Sequence, residues 1–207
     1  MGSAVIAVPE PAALPAGRVF SEEFLRVRDL ALDWIHAYYD VDHLRRTGDW
    51  LLALGPEAAE PLVIAALTHD MERTVPGGPV IDKANTPWDD PAYNTAHCNR
   101  SAAVVAKWLV GQGVSDRFVR GIHQPILEHE FGGSAEGDLM QAADSISFLE
   151  TNRALIVRWV QGRECSLEKG RDKLRWMCDR VRLARARDIA RVQFQQAMAD
   201  VDQRLGL

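Results

Sequence analysis

Apolar residues recur along this chain at intervals of three and four, the spacing of helices that bury one face. Alternating patterns typical of strands are scarce. We therefore predict about seven helices in an all-α, single-domain bundle. The predicted helices run from Ser21 to about Asp40, from about His43 to Gly55-Pro56, from about Glu57 to Glu72, from near His97 to Gly111, from Ser115 to His129, from Leu139 to near Gly162, and over one or two segments between Ser166 and about Leu205.

One long segment interrupts this pattern. Residues 76–95 contain repeated prolines and a Gly-Gly pair, which break regular structure. A connection of about twenty residues is long for a compact domain, and such segments often cover or bind a ligand. We expect a lid-like or binding loop here.

Composition narrows the class of protein. The net charge of -5 gives no general attraction to nucleic acid or anionic lipid, and no apolar run is long enough to span a bilayer. Three cysteines without CxxC spacing favour reduced thiols in a cytoplasmic protein, and the amino terminus lacks the pattern of a secretory signal. We expect a mobile arm over residues 1–18, a metal-binding helical domain over residues 19–162, and an Arg-rich helical extension over residues 163–207 packed on that domain.

Several ionisable residues lie in apolar surroundings. His69 and Asp70 follow an almost wholly apolar stretch, and Asp144 lies within another. A buried carboxylate or imidazole needs a partner, and a divalent cation can supply one. Taken alone, Asp144 also fits a helix cap or an Arg partner, His43 a surface histidine, and His97 a residue of a first helical turn. The ordered set of these residues favours a metal site over the separate explanations.

The motifs appear in a recognisable order. They are His43-Leu-Arg-Arg, an apolar run ending in Thr68-His69-Asp70, His97-Cys-Asn-Arg-Ser-Ala, Ile126-Leu-Glu-His129-Glu, and Ala142-Ala-Asp144-Ser. This order resembles the HD-domain superfamily of metal-dependent phosphohydrolases, and the resemblance covers residues 24–152. It implies an HD-type helical bundle.

The resemblance also implies ligand roles. His43, His69, Asp70 and Asp144 would hold a first ion, and His97 and His129 a second, with Asp70 bridging the two. Mixed histidine and carboxylate ligands suit Fe, Mn, Co, Ni or Zn. His129 is preferred as the fourth histidine because it shares a helical face with apolar residues, which leaves His123 as a substrate contact or outer residue.

The reaction implied is hydrolysis of a small phosphate ester or anhydride, such as a nucleotide or phosphorylated metabolite. Asp70 and Glu72 are the catalytic candidates, with Glu72 positioning water. Asn94 and Trp88 are candidates for reading a base or sugar. Candidate substrate contacts are Arg73, Lys83, Arg100, Lys107 and His123.

Two alternatives stay open. A few HD-domain proteins are di-iron oxygenases that cleave C–C or C–P bonds with the same six ligands. A non-catalytic regulatory module is the other, supported only by the arginines between Arg171 and Arg191. Interleaved acidic residues and an apolar stripe there favour core docking or a homodimer contact over nucleic-acid binding.

Overall fold

The computed structural model describes residues 14–207. Strands are absent from these residues. The α-helices are α1 (Glu22–Trp34), α2 (Val41–Leu54), α3 (Glu60–Thr68), α4 (Pro91–Gly111), α5 (Asp116–Glu128), α6 (Ala135–Thr151), α7 (Arg153–Gln161), α8 (Leu167–Asp179) and α9 (Arg187–Leu205). The predicted all-α class is confirmed, with more helices than expected.

Short polar side chains fix most helix starts. Each accepts a hydrogen bond from a backbone N–H of the first turn, which would otherwise lack a partner. The capping residues are Ser21, Asp40, Asp90, Ser115, Ser134 and Ser166.

Three predicted boundaries differ from the structure. The first helix ends at Trp34 rather than Asp40, because the chain tightens into a 3₁₀ turn and extends at Tyr38. The fourth helix begins at Pro91, since Asp90 caps it and proline needs no N–H partner in a first turn. A turn at Asn152 divides the predicted 139–162 helix into α6 and α7.

The helix that leads to His69 and Asp70 is also shorter than predicted. It ends at Thr68, and residues Met71–Thr74 form a 3₁₀ turn. The hydroxyl of Ser101 donates to the carbonyl of His69, which satisfies an acceptor at this helix end. His69 and Asp70 therefore lie at a turn rather than along a helical face.

Helix α6 runs through the centre of the domain and is buried on almost every face. It packs against α2, α5, α8 and α9, and one apolar core joins residues from Phe24 to Val201. The C-terminal helices thus share the core of the preceding helices. Over residues 14–207, none of the helices has the length and apolar character needed to cross a membrane.

The predicted arm at residues 1–18 falls mainly on residues 1–13, outside the described residues. Arg18, at its end, donates hydrogen bonds to the carbonyls of Pro56 (2.5 Å) and Ala58 (2.6 Å). Leu14 packs against the core. This part of the segment is therefore attached to the domain.

Candidate metal centre

The six predicted ligand residues come together from five helices. All are buried, with exposed fractions from 0 to 8%. His43 comes from α2, His69 and Asp70 from the end of α3, His97 from α4, His129 from the end of α5, and Asp144 from α6. The structure therefore brings together residues separated by up to about a hundred positions in the chain.

The first half of this cluster consists of His43, His69, Asp70 and Asp144. Oδ1 of Asp144 lies 3.1 Å from Nε2 of His43 and 3.4 Å from Nε2 of His69. Ligand atoms of His43, His69 and Asp70 all lie within 4.8 Å of one another. This spacing allows the side chains to share one cation.

Asp70 also belongs to the second half. Its Oδ1 lies 3.0 Å from Nε2 of His97, which in turn lies 3.1 Å from Nε2 of His129. Ligand atoms of these three residues lie within 4.8 Å of one another. Because Asp70 is common to both halves, it is placed where a carboxylate could bridge two ions.

Each of the four histidines donates a hydrogen bond from Nδ1 to an acceptor outside the cluster. The Nδ1 partners are Ser147 Oγ for His43 (3.1 Å), the Ala66 carbonyl for His69 (3.0 Å), Glu72 Oε1 for His97 (2.9 Å) and the Ile126 carbonyl for His129 (2.7 Å). Ser147 gives its own proton to the carbonyl of His43, so its oxygen is an acceptor.

This arrangement fixes the tautomer of each ring. With Nδ1 donating, Nε2 of a neutral ring presents a lone pair toward the cluster. Metal-binding histidines in proteins are oriented in this way. Nε2 of His97 and Nε2 of His129 then face each other as two lone pairs, and a cation or proton between them would stabilise this contact. The donor set thus fits transition-metal ions.

The two carboxylates are held in their ionised form. Burial raises the pKa of Asp70, but Arg73 and the neighbouring histidines bring it well below its usual range. Burial likewise raises the pKa of Asp144, and Arg180 lowers it well below that range. The second carboxylate oxygen of each aspartate, the far oxygen Oδ2, also accepts a hydrogen bond. Tyr38 donates to Oδ2 of Asp70 (2.7 Å), and Arg180 donates to Oδ2 of Asp144.

The histidines differ in their affinity for protons. Burial lowers the pKa of His69, but Asp70 and Asp144 raise it to about 9 overall. Burial lowers the pKa of His129 to about 4, and the positive charge of His97 acts in the same direction. A cation at His69 must therefore displace a proton, whereas His129 is neutral at physiological pH.

A cavity of about 710 Å³ opens beside this cluster. Its wall includes residues 75–81, most of which belong to the predicted loop at residues 76–95, together with Tyr38 and Tyr39 from the α1–α2 connection. The cationic side chains on the wall are Arg73, Lys83, Lys173 and Arg180. Five of the six candidate ligand residues therefore border a space that could hold a small anionic molecule, namely His43, His69, Asp70, His129 and Asp144.

The predicted substrate contacts separate into two groups. Arg73 and Lys83 line the cavity, where Arg73 donates to the Tyr93 hydroxyl (2.9 Å) and Lys83 to Glu164 (2.8 Å). Lys107 and His123 are exposed and lie outside the cavity wall, because they occupy the outer faces of α4 and α5. The structure thus does not bring these two residues to the site.

Glu72 lies on the cavity wall, and Arg100 lies outside it. Arg100 donates to the carbonyls of Val75 (3.1 Å) and Pro76 (2.7 Å), and its Nε lies 3.2 Å from Glu72 Oε2, outside hydrogen-bond geometry. Glu72 accepts from Nδ1 of His97, so it is a positioning residue for that ring. Its predicted role in positioning water stays a prediction.

Asn94 and Trp88 also lie at the cavity wall, but their polar atoms have partners within the protein. The Asn94 side-chain amide donates to the Trp88 carbonyl (3.1 Å), and the Trp88 indole donates to the Lys169 carbonyl (2.9 Å). These hydrogen bonds give both residues a place in the packing of the wall.

Sequence reasoning missed four residues that act on this cluster. Tyr38 and Arg180 hold the far oxygens of the two aspartates, Ser147 orients His43, and Lys173 lines the cavity. Lys173 and Arg180 belong to α8 and its end, which the sequence places in an extension. Their spacing from Asp144 carries no motif, so only tertiary packing reveals them.

Comparisons with known proteins add no relative: no family model, no curated protein and no solved structure matches the chain.

Proposed function

We propose that this protein is a metal-dependent hydrolase of small phosphate esters or anhydrides, of the HD-domain type, with a centre for two transition-metal ions. The proposal rests on the six converging ligand residues and on their motif order along the chain. Fe, Mn, Co, Ni and Zn are the ions that suit this donor set.

One observation carries the proposal. Every histidine of the cluster uses Nδ1 for a hydrogen bond to an outside acceptor, and every Nε2 points inward. A buried histidine that served packing alone would not need this common orientation. Four such rings around two ionised aspartates are what a centre for two divalent ions requires.

Bound divalent ions would lower the pKa of water toward neutrality and neutralise charge on a phosphoryl group. The protein's own residues do the positioning. Tyr38 fixes Asp70 by its far oxygen, and Arg180 fixes Asp144, so each aspartate keeps Oδ1 directed at the histidines. Because these partners hold the ligands in place, little reorganisation accompanies the reaction.

The cavity supplies the place for the substrate. Its volume of about 710 Å³ suits a small molecule, and the basic residues of its wall favour an anion. Residues 75–81 form one side of its wall.

The test is phosphate release by protein freed of metal with a chelator and reloaded anaerobically with Mn²⁺ or Co²⁺. p-Nitrophenyl phosphate and nucleoside monophosphates are suitable substrates. We expect activity that depends on the ion and is lowered at least about a hundredfold by Asp144→Asn. Asp138→Asn, the same change on the surface of α6, should leave it unchanged.

Absence of phosphate release with every ion would contradict the proposal. Oxygen uptake by iron-loaded protein in the presence of an organophosphonate would replace it with the oxygenase alternative.

A further inference from the structure

Lys173 of α8 occupies an unusual place in the cavity wall. Its Nζ lies 4.2 Å from the ring centroid of Trp176, 5.1 Å from that of Phe148 and 5.3 Å from that of Trp88. Aromatic faces attract a cation through their quadrupole, so the three rings hold the ammonium group in position. They do not offer it the lone pairs that its N–H groups need.

The other cations of the wall are already paired. Arg73 lies against Asp70, Lys83 against Glu164, and Arg180 against Asp144 and Glu130. Lys173 makes no hydrogen bond or ion pair with any residue in the range 14–207 that the structure describes. The three N–H donors of its ammonium group are therefore not engaged by these residues, and they can meet a ligand in the cavity.

The surroundings favour the arrival of an anion. Burial lowers the pKa of Lys173 to about 8, although the Glu130 carboxylate raises it. An anionic oxygen beside the ammonium would stabilise its charged form and accept its free N–H groups. The cavity on which Lys173 lies is the same one that borders His43 and Asp144.

We propose that Lys173 binds an anionic phosphate oxygen of the substrate. Helix α8 then contributes directly to the site, and the residues after Gly162 are part of the substrate-binding machinery rather than an appendage. This inference rests on the proposed function, because it places the phosphate in the cavity beside the metal centre. Arg73 and Lys83 keep their partners within the protein and have a smaller role in holding the anion.

Lys169 offers a matched control. It lies one turn earlier on α8, and its Nζ is 5.6 Å from the centroid of the same Trp88 ring, yet it lies outside the cavity wall. Lys169→Met removes one positive charge from the same helix, next to the same Trp88 ring. A difference between the two variants therefore reports position in the cavity and not net charge.

The experiment measures binding of inorganic phosphate by isothermal titration calorimetry to Mn²⁺-loaded wild type, Lys173→Met, Lys173→Arg and Lys169→Met. Metal content and thermal unfolding are recorded for each. We expect Lys173→Met to weaken phosphate binding at least about tenfold, the loss of a charge-assisted hydrogen bond, with unchanged metal content. Lys173→Arg should recover part of the affinity, and Lys169→Met should stay within about twofold of wild type.

Equal phosphate affinity of Lys173→Met and wild type, at equal metal content, would overturn the role of Lys173 and leave the metal centre standing. Wild type that retains no ion but binds phosphate through Lys173 would overturn the proposed function and keep this role. If Lys173→Met does not fold, Lys173→Gln takes its place, and wild-type affinity in that variant would overturn the inference.

Discussion

Glu72 lies beneath His97, with Oε1 2.9 Å from Nδ1 and only 1% of its side chain exposed. Its negative charge fixes the ring and raises the basicity of Nε2. We predict that Glu72→Gln lowers affinity for the second ion by about 10- to 100-fold and leaves the first ion bound. Titration of chelated protein with Mn²⁺ or Zn²⁺ measures both steps, with the exposed Glu136→Gln as control. Identical second-step affinities in the two variants would exclude this role.

The titration of His69 gives a prediction for pH. Its folded pKa of about 9 lies above the value near 6.5 expected in the unfolded chain. In the presence of a chelator, the contribution of His69 to the free energy of unfolding is complete below pH 6.5 and is lost as pH rises through 9. The loss of stability in this window is about 1.4 kcal/mol per pH unit, which corresponds to about 3–6 °C in Tm.

An ion at His69 reverses this trend, because it competes with the proton. The difference in Tm between Mn²⁺-loaded and chelated protein should therefore grow from pH 6.5 to 9. Differential scanning fluorimetry at intervals of half a pH unit measures it. A difference that shrinks with rising pH would show that no proton is displaced from His69.

The residues of the candidate metal centre could be identified in the sequence because each motif is local. His69-Asp70 ends an apolar run, and Asp144 lies in another, so burial and the need for a partner are visible in the chain itself. Tyr38 and Arg180 could not be predicted in the same way. Their contacts depend on how α8 and the α1–α2 connection pack onto the site, and this is decided by the tertiary structure.

At the scale of elements, α3 and α5 approach each other closely at Gly121. A Cβ added there would lie 2.9 Å from the ring carbons of Pro61, which cannot move aside easily. We predict that Gly121→Ala lowers the free energy of unfolding by about 1–3 kcal/mol. Urea unfolding followed by far-UV circular dichroism measures the change.

Gly111→Ala is the matched substitution for this experiment. Gly111 ends α4, and nothing lies within 4 Å of an added Cβ. This variant should be neutral or more stable by about 0.5–1 kcal/mol, because alanine loses less backbone entropy in a helix. Equal destabilisation by both substitutions would show that the α3–α5 contact leaves room for a methyl group at Gly121.

Helix boundaries were harder to predict than helices. Ser21, Ser115 and Ser166 are capping residues that are visible in the sequence, and the structure uses all three. The turn at Asn152 has no proline or glycine to mark it, so α6 and α7 read as one helix. Helix α7 packs against α8 and α9, contacts that only the tertiary structure reveals.

Across the whole molecule, α8 and α9 contribute apolar side chains to the same core as α2, α3 and α6. Leu174 and Val201 are completely buried in it. We predict that the chain unfolds in one cooperative transition, seen at the same urea concentration by Trp fluorescence and by circular dichroism. An earlier separate transition for the C-terminal helices would show that residues 163–207 are an independent extension. The homodimer contact expected through these helices stays a prediction.

If the six side chains form a centre for two ions, the number of ions bound per chain reports it without any substrate. Protein purified anaerobically is analysed by inductively coupled plasma mass spectrometry, together with His97→Ala and Asp70→Ala. We predict two transition-metal ions per chain in the wild type, one in His97→Ala and none in Asp70→Ala, since Asp70 belongs to both groups of ligands. Equal metal content in the wild type and Asp70→Ala would show that Asp70 holds neither ion and that the six side chains do not form this centre.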